Sequence, residues 1–490
     1  MRVLVQNITC QVIIGGKDNL LGVNLMKELR EYLRIRPAGY SYSKAYKKKR
    51  WDGWVSLITK DGYFATGFLP LVLGYVRELG AEVTITDARR NLPKLQSNFA
   101  NVVGEIDGVV WTLRDYQIPL VKSVGNYIDD IYFPRGIIDA ATNAGKNAVM
   151  AGIYNNFVDV KALLIVSKIE QFKTAKGFFG QLYDIGEVRT GKCEIKDFTI
   201  AMAKTLHNRI EESMDILAKV NKCQLILVDE THEAGAADYS KLLQKIQGGV
   251  RIFVSGTPLD NDNKKNNMVI VGLSGVPLAK VTNKQLVEAK VSLKPTVHIF
   301  LNPDRPLCSG YDDEYDQIVK FSEGRANIML EEMAQRKGQS ILISFIEIAH
   351  GEYLYDYFRN SSTFDQTIEL VHGEDKERDE KIQRFANGET KVLLTSTILK
   401  TSVNIPIINT LILAQGGKSV ITVKQFIGRL LRDDGINETV DVIDFYDQGK
   451  HVGRHSRKRL AIYKREEFDV IEYFEKKYNK PIILKDVIDE

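Results

Sequence analysis

Cysteine is scarce in this chain, and its spacing carries no pattern. The four thiols, Cys10, Cys193, Cys223 and Cys308, are scattered through 490 residues without a CxxC pair. That excludes a disulfide scaffold and leaves zinc no ligand framework, so reduced thiols of a cytoplasmic protein are expected. Long apolar runs are also missing. None approaches the roughly 20 residues that span a bilayer, so no membrane partner is expected. Met1–Gln6 reads as a strand and lacks the apolar core of a secretory signal. There is no internal repeat and no low-complexity tract. What remains is an ordinary globular composition, 44% hydrophobic and 27% charged. One core does not suffice at this length, and three domains are expected, two large and one small.

Charge imbalance is absent except at one end. The net charge is +4, yet residues 1–100 hold 16 Lys/Arg against 8 Asp/Glu, leaving −4 for the remainder. A basic appendage on a nearly neutral body suits a polyanionic partner. Its densest part is Lys44-Ala45-Tyr46-Lys47-Lys48-Lys49-Arg50-Trp51-Asp52-Gly53-Trp54, where cations alternate with aromatics. Lys47, Lys48, Lys49 and Arg50 would neutralise phosphates, while Tyr46, Trp51 or Trp54 would stack on exposed bases. The plain alternative is a solvated basic turn with both tryptophans in a core.

Residues 1–105 mix strand-like and helix-like stretches, with helical periodicity over Leu21–Leu33 and a strand over Trp54–Ile58. A linker near Gln96–Ile106 leads to Trp111. From there short apolar strands (Gly136–Ala140, Ala162–Val166, Phe198–Ala203, Leu225–Val228, Arg251–Val254) are separated by helix-length segments. A second alternating series follows at Ser340–Phe345, Thr367–Val371, Val392–Thr395, Thr410–Leu413 and Val440–Asp444. Strands alternating with helices predict parallel sheets covered on both faces, hence two tandem α/β lobes divided near residues 284–296. The boundaries predicted are 1–105, 106–290, 291–450 and a tail, 451–490, with a helix over Arg465–Lys477.

Three segments carry the chemistry. In the first, Ala141-Thr142-Asn143-Ala144-Gly145-Lys146-Asn147, a strand passes through a tight loop into a helix. Backbone N–H groups of such a loop cradle phosphate oxygens, and Lys146 reaches the β/γ-phosphates. The usual loop ends Gly-Lys-Ser/Thr with a hydroxyl on Mg²⁺. Here Asn147 holds that place, and Asn143 replaces a common glycine. The second segment, Asp229-Glu230-Thr231-His232, ends an aliphatic strand, where parallel sheets place ligands. Asp229 would hold Mg²⁺ and Glu230 would orient and deprotonate the attacking water. His232 would link this site to the second lobe. The third, Gln425-Phe426-Ile427-Gly428-Arg429-Leu430-Leu431-Arg432, puts Gln425, Gly428, Arg429 and Arg432 on one helical face. Its guanidinium groups would bridge the interlobe cleft and stabilise γ-phosphate charge, with Arg432 the first choice and Arg429 beside it. Spacings of 83 and 196 residues, from Lys146 to Asp229 and on to Gln425, give the order of an ATP-driven motor on nucleic acid.

Weaker pieces support it. Arg114 and Gln117, ahead of the first lobe, would read the adenine edge. Ser255-Gly256-Thr257-Pro258 would relay the nucleotide state. Ser167-Lys168, Lys204-Thr205, His372-Gly373 and Thr397, at strand ends, would meet the backbone of a tracked strand.

With these motifs in place, residues 106–450 resemble the DExH helicases of superfamily 2. More narrowly, the whole chain resembles the UvsW-type helicases of tailed phages. That resemblance takes in Arg50-Trp51-Asp52-Gly53 and Val281-Thr282-Asn283-Lys284-Gln285-Leu286. It implies two RecA-like lobes behind a small α+β domain, ATP and Mg²⁺ as cofactors, and 3′→5′ movement. The implied partners are forks, Holliday junctions, single strands and RNA–DNA hybrids, in phage recombination, repair and replication within the host cytoplasm. A monomer is the default. In Thr397–Pro406, Ser402 and Asn404 depart from the Gly and Asp of many relatives. Competing readings are an RNA helicase, a restriction-type translocase motor, which would normally bring a nuclease or docking extension, and a low-turnover ATP-gated DNA clamp.

Overall fold

The computed structural model describes residues 1–14, 20–37, 39–128, 130–259, 263–396, 408–417, 427 and 439–474. They fall into two compact units, Met1–Val281 and Thr282–Glu490. Each is an α/β body built on a mainly parallel sheet, the architecture expected of tandem RecA-like lobes.

In the first unit the sheet order is Lys192–Glu194, Ile185–Arg189, Phe198–Met202, Ala162–Val166, Leu225–Asp229, Val250–Ser255, Arg135–Ala140 and Pro277–Val281. Every pairing is parallel except the outermost, Ile185–Arg189 with Lys192–Glu194. The central strands are runs of Leu, Ile, Val and Ala, and Ala162–Val166 and Leu225–Val228 are wholly buried. Covered on both faces, such strands need no polar alternation.

Residues 1–87 add a four-stranded mixed sheet, ordered Tyr63–Ala65, Thr9–Ile13, Arg2–Val5 and Thr84–Asp87, with helices Leu20–Tyr32 and Leu69–Glu78. This α+β segment does not have a core to itself. Its apolar side chains, from Val3 to Val76, join those of the lobe, from Phe133 to Leu273, in one cluster. The approach is close enough that a Cβ on Gly67 would lie 1.9 Å from the Val271 carbonyl oxygen. The buried Arg135 guanidinium donates to the carbonyls of Asn7 and, at 3.0 Å, Leu273. Asn7 in turn exchanges two 3.0 Å hydrogen bonds with the backbone of Arg90. The segment read as a linker is in part a hairpin, Val102–Ile106 with Val109–Thr112.

The second unit's sheet runs Ile368–Val371, Val392–Ser396, Ile341–Phe345, Thr410–Leu413, Thr439–Tyr446, Lys294–Leu301 and Asp469–Tyr473, all parallel. Its last strand corrects an expectation. The helix predicted over Arg465–Lys477 lies earlier, at Val452–Arg465, and Asp469–Tyr473 is an edge strand against Thr296–Phe300. The β-branched pair Val470-Ile471 suits a pleated edge better than a helix. Tyr473 stacks on Phe300 there, 4.6 Å between ring centres.

Under the Val452–Arg465 helix lies a buried ionic network. Arg459 donates to Asp444 at 2.8 Å and Tyr463 donates to the same oxygen at 2.7 Å. Arg325 lies 3.3 Å from Asp447 and stacks over Phe445. Burial pushes the Asp447 carboxyl up, and Arg325 and Arg459 pull it back. Among the described residues Cys10 and Cys223 are buried free thiols, pushed up to about 11 and about 12 by burial, which leaves them inert.

Candidate active site

Strand Arg135–Ala140 enters the loop Ala141–Gly145, and helix Lys146–Asn155 leaves it. Two left-handed residues make the turn, Asn143 at φ 73° and Gly145 at φ 72°. Asparagine is among the few side chains that tolerate this region. Asn143 therefore does conformationally what the common glycine would do. Gly145 takes the same region without strain, and a Cβ there would have to displace the Gln117 amide, 2.5 Å away.

Lys146, at the first helical position, points its ammonium to the end of strand Leu225–Asp229. It lies 2.8 Å from Glu230 Oε1 and 3.7 Å from Asp229 Oδ1. Burial pushes the Asp229 carboxyl up, Lys146 pulls it back, and the neighbouring Glu230 charge adds to the rise. Two adjacent carboxylates under that pressure favour an added cation. Glu230 sits in a left-handed conformation, φ 55° and ψ 64°, a strained state for a side-chain-bearing residue. Its second oxygen accepts from Ser255 Oγ at 3.2 Å, and Ser255 Oγ accepts from the Thr257 amide at 3.2 Å. The Ser-Gly-Thr turn is thus wired directly to the second carboxylate.

Gln117 is buried, and both ends of its amide serve backbone. Nε2 donates to the Ala144 carbonyl at 2.8 Å, and Oε1 accepts from the Arg114 amide at 3.0 Å. It braces the loop, while Arg114 stays exposed with its guanidinium 3.2 Å from the Tyr116 hydroxyl. Thr142 and Asn147 flank the loop and the first helical turn, half-buried.

The other first-unit candidates share one edge of the sheet. Ser167 and Lys168 follow strand Ala162–Val166, and Lys168 pairs with Glu233 at 2.5 Å. Lys204 and Thr205 do not end a strand; they lie in the first turn of helix Ala203–Glu212, after strand Phe198–Met202. With the loop, Asp229 and Ser255, they mark the C-terminal edge where parallel sheets bind ligands. In the second unit His372 follows Ile368–Val371, with its Nδ1 accepting from the Glu374 amide at 3.4 Å. Thr397, Ser402, Asn404, Gln425, Arg429, Arg432 and the His232 side chain lie outside the described residues.

Comparison with known proteins places these motifs. Residues 111–260 match the family described as type III restriction enzyme, res subunit, and residues 324–434 match the helicase conserved C-terminal domain. The chain is an ATP-hydrolysing helicase of superfamily 2. It is 22% identical over 442 residues to the ATP-dependent DNA helicase uvsW of Enterobacteria phage T4, covering 86% of each chain. It is 26% identical over 389 residues to the DNA 3′-5′ translocase XPB2 of Sulfurisphaera tokodaii, covering 71% of this chain and 84% of that one. Its fold is similar to a fragment of an HsdR subunit of a type I restriction enzyme from Vibrio vulnificus, with a TM-score of 0.53 and 17% identity. That likeness covers 75% of this chain and 70% of the other.

In the helicase the basic run forms a short helix, Lys44–Lys47, capped by Ser43 accepting from the Tyr46 amide at 3.2 Å. Lys44, Lys47, Lys48, Lys49 and Arg50 are all exposed. The nearby tryptophans are occupied. Arg34 and Arg36 lie over the Trp54 ring at 4.4 and 4.6 Å, and Trp51 Nε1 donates to the Trp54 carbonyl at 2.6 Å. Tyr46 packs edge-on against Tyr40. The open ring is Tyr42, 79% exposed beside Lys47. Sequence reasoning passed over it, although the Gly39-Tyr40-Ser41-Tyr42 turn immediately precedes the run.

Proposed function

We propose that this helicase is a DNA motor for branched substrates, regressing forks, migrating Holliday junctions and unwinding duplexes and R-loops in phage recombination, repair and replication. The observation that carries the motor chemistry is Lys146 bridging Glu230 and Asp229 at a sheet's C-terminal edge, with Ser255 on the far oxygen of Glu230. Lys146 and the Thr142–Asn147 loop hold the β/γ-phosphates, with Arg114 at the base. Glu230 takes the proton of the attacking water. Gln425, Arg429 and Arg432 supply contacts to the γ-phosphate, and His232 assists them. Mg²⁺ is commonly held through one or two carboxylates with substrate phosphates. Asp229 fits that role, with Asn147 beside the loop, and the ion would neutralise the charge on the transferred group.

Hydrolysis reaches DNA through the Glu230–Ser255–Thr257 chain and on to Ser167, Lys168, Thr205, His372 and Thr397, the residues expected to meet the tracked strand. Residues 106–290 and 291–450 act as the two motor lobes, and 1–105 holds the junction through Lys47, Lys48, Lys49, Arg50 and the Trp51 turn. The two relatives named for DNA support the substrate, and the name of one supports 3′→5′ movement. A monomer working in the cytoplasm is the simplest form.

One observation favours a second reading: the first-lobe family and the HsdR-like fold are those of restriction motors. A labelled four-way junction and a duplex carrying a bound third strand distinguish the two. ATP-dependent conversion of the junction into duplex arms is expected. Tyr42→Ala should weaken junction affinity by about 5- to 150-fold, the loss of one aromatic–base stack of ~1–3 kcal/mol. Third-strand displacement with the junction left intact would favour the restriction-type translocase instead, and action on RNA alone the RNA helicase.

A further inference from the structure

Lys450–Arg465 is the most one-signed stretch of the second unit. It carries seven Lys/Arg and two histidines and has no acidic residue. On the helix Val452–Arg465 one face is buried through Val452, Ser456, Arg459, Ile462 and Tyr463. The outer face presents Arg454, Arg457, Lys458 and Arg465, which share a side at helical spacing. Arg454 and Arg457 form no ion pair among the described residues. The span from Arg454 to Arg465 is roughly 16 Å at 1.5 Å per residue, the reach of several backbone phosphates.

At the start of this helix is a pocket of about 430 Å³ lined by Tyr311, His451, Arg454, His455 and Lys458. The Tyr311 ring meets His455 at 5.6 Å and His451 at 6.2 Å, both steeply inclined. Buried Glu314 fixes the arrangement by accepting from the amides of His451 at 2.7 Å and Val452 at 3.1 Å. Burial would raise the Glu314 carboxyl, but those amides hold it below its usual range. The helix N-terminus is therefore already satisfied, and any anion in the pocket is held by side chains. The pocket lining itself contains no carboxylate.

We propose that this helix face and its pocket form a DNA-backbone site on the second unit, separate from the tracked-strand residues named above, with phosphates of a duplex arm as the occupant. The proposal rests on the DNA reading of the motor. Charge complementarity selects the occupant: cations at helical spacing along one face match a polyanion of regular charge spacing, and the pocket gives one phosphate a fixed seat.

The test measures how duplex affinity depends on salt in the full chain carrying Arg454→Gln, Arg457→Gln and Lys458→Gln together. The slope of log affinity against log salt should fall in magnitude by about 2 to 3, at ~0.9 per lost phosphate contact, and by about 1 for Arg454→Gln alone. A control carrying Lys219→Gln, Lys222→Gln and Lys241→Gln removes the same charge from exposed positions of the other unit and should keep the wild-type slope. Thermal unfolding checks that each variant is folded. An unchanged slope in the triple variant, or an equal fall in the control, overturns this site while leaving the DNA motor standing. Wild-type protein that binds no DNA overturns the motor reading, and the site with it.

Discussion

Replacing Glu230 by Gln lowers ATP turnover by about 10²–10⁴-fold, the usual contribution of a positioned general base, while ATP and DNA still bind. The substitution is nearly isosteric. A glutamine oxygen can still accept from Lys146 or Ser255, which now contact the two carboxylate oxygens at 2.8 and 3.2 Å. Glutamine meets the left-handed backbone at φ 55° no worse than glutamate does. What disappears is the basic oxygen proposed to take the proton of water. Single-turnover hydrolysis beside the binding of a fluorescent ATP analogue separates the two effects. Turnover within tenfold of wild type would remove Glu230 from its role.

The largest stability effect is expected at Arg459, not at the motor site. Arg459→Met fills similar space but leaves Asp444, which is 2% exposed, without its 2.8 Å guanidinium partner. Breaking one side of a buried pair costs about 3–5 kcal/mol because the remaining charge is uncompensated. For a unit of this size that is a fall in thermal midpoint of about 6–20 °C. Arg457→Met, two residues away and exposed, should move it by no more than about 2 °C, within the ordinary range of surface substitutions. Equal midpoints for the two variants would show that the Asp444 pairing contributes nothing.

These two residues illustrate what was legible beforehand. Asp229-Glu230 follows four aliphatic residues, and short aliphatic runs between turns identified most interior strands of both sheets within a residue or two, though not Lys294–Leu301, which opens on Lys-Pro and carries His298. Strands that break this rule were missed. Ile185–Arg189 contains Gly186 and the buried Glu187, which Lys176, Arg189 and Lys192 hold at 2.9 to 3.1 Å. Burial would raise that carboxyl, yet the three cations draw it down to about 2. Pro277–Val281 begins with proline on a sheet edge, and Asp469–Tyr473 mixes charge with apolar residues. Arg459 reads in sequence as one more cation of a basic run, because its partner depends on which helix face turns inward.

Within the candidate site, residue types and spacing singled out Lys146, Asp229 and Glu230, which the fold brings together, but did not give their pairing. The link from Ser255 to Glu230 joins positions 25 residues apart at the ends of neighbouring strands, which no local pattern encodes. Gln117 was expected at the base of the nucleotide, and its bond to the Ala144 carbonyl, which braces the loop, was not foreseen. In the basic run composition was informative and exposure was not. The arginines that cover Trp54 come from another segment, so the open ring proved to be Tyr42.

The most direct test is ATP hydrolysis with Mg²⁺ by wild type and Lys146→Ala, with no nucleic acid, single-stranded DNA, duplex, an RNA hairpin and a four-way junction. Lys146→Ala removes the cation placed between Asp229 and Glu230 at 3.7 and 2.8 Å. Turnover stimulated most by the junction, and lost in the variant, is the expected result. Tight junction binding without turnover, or undiminished turnover in Lys146→Ala, would contradict it.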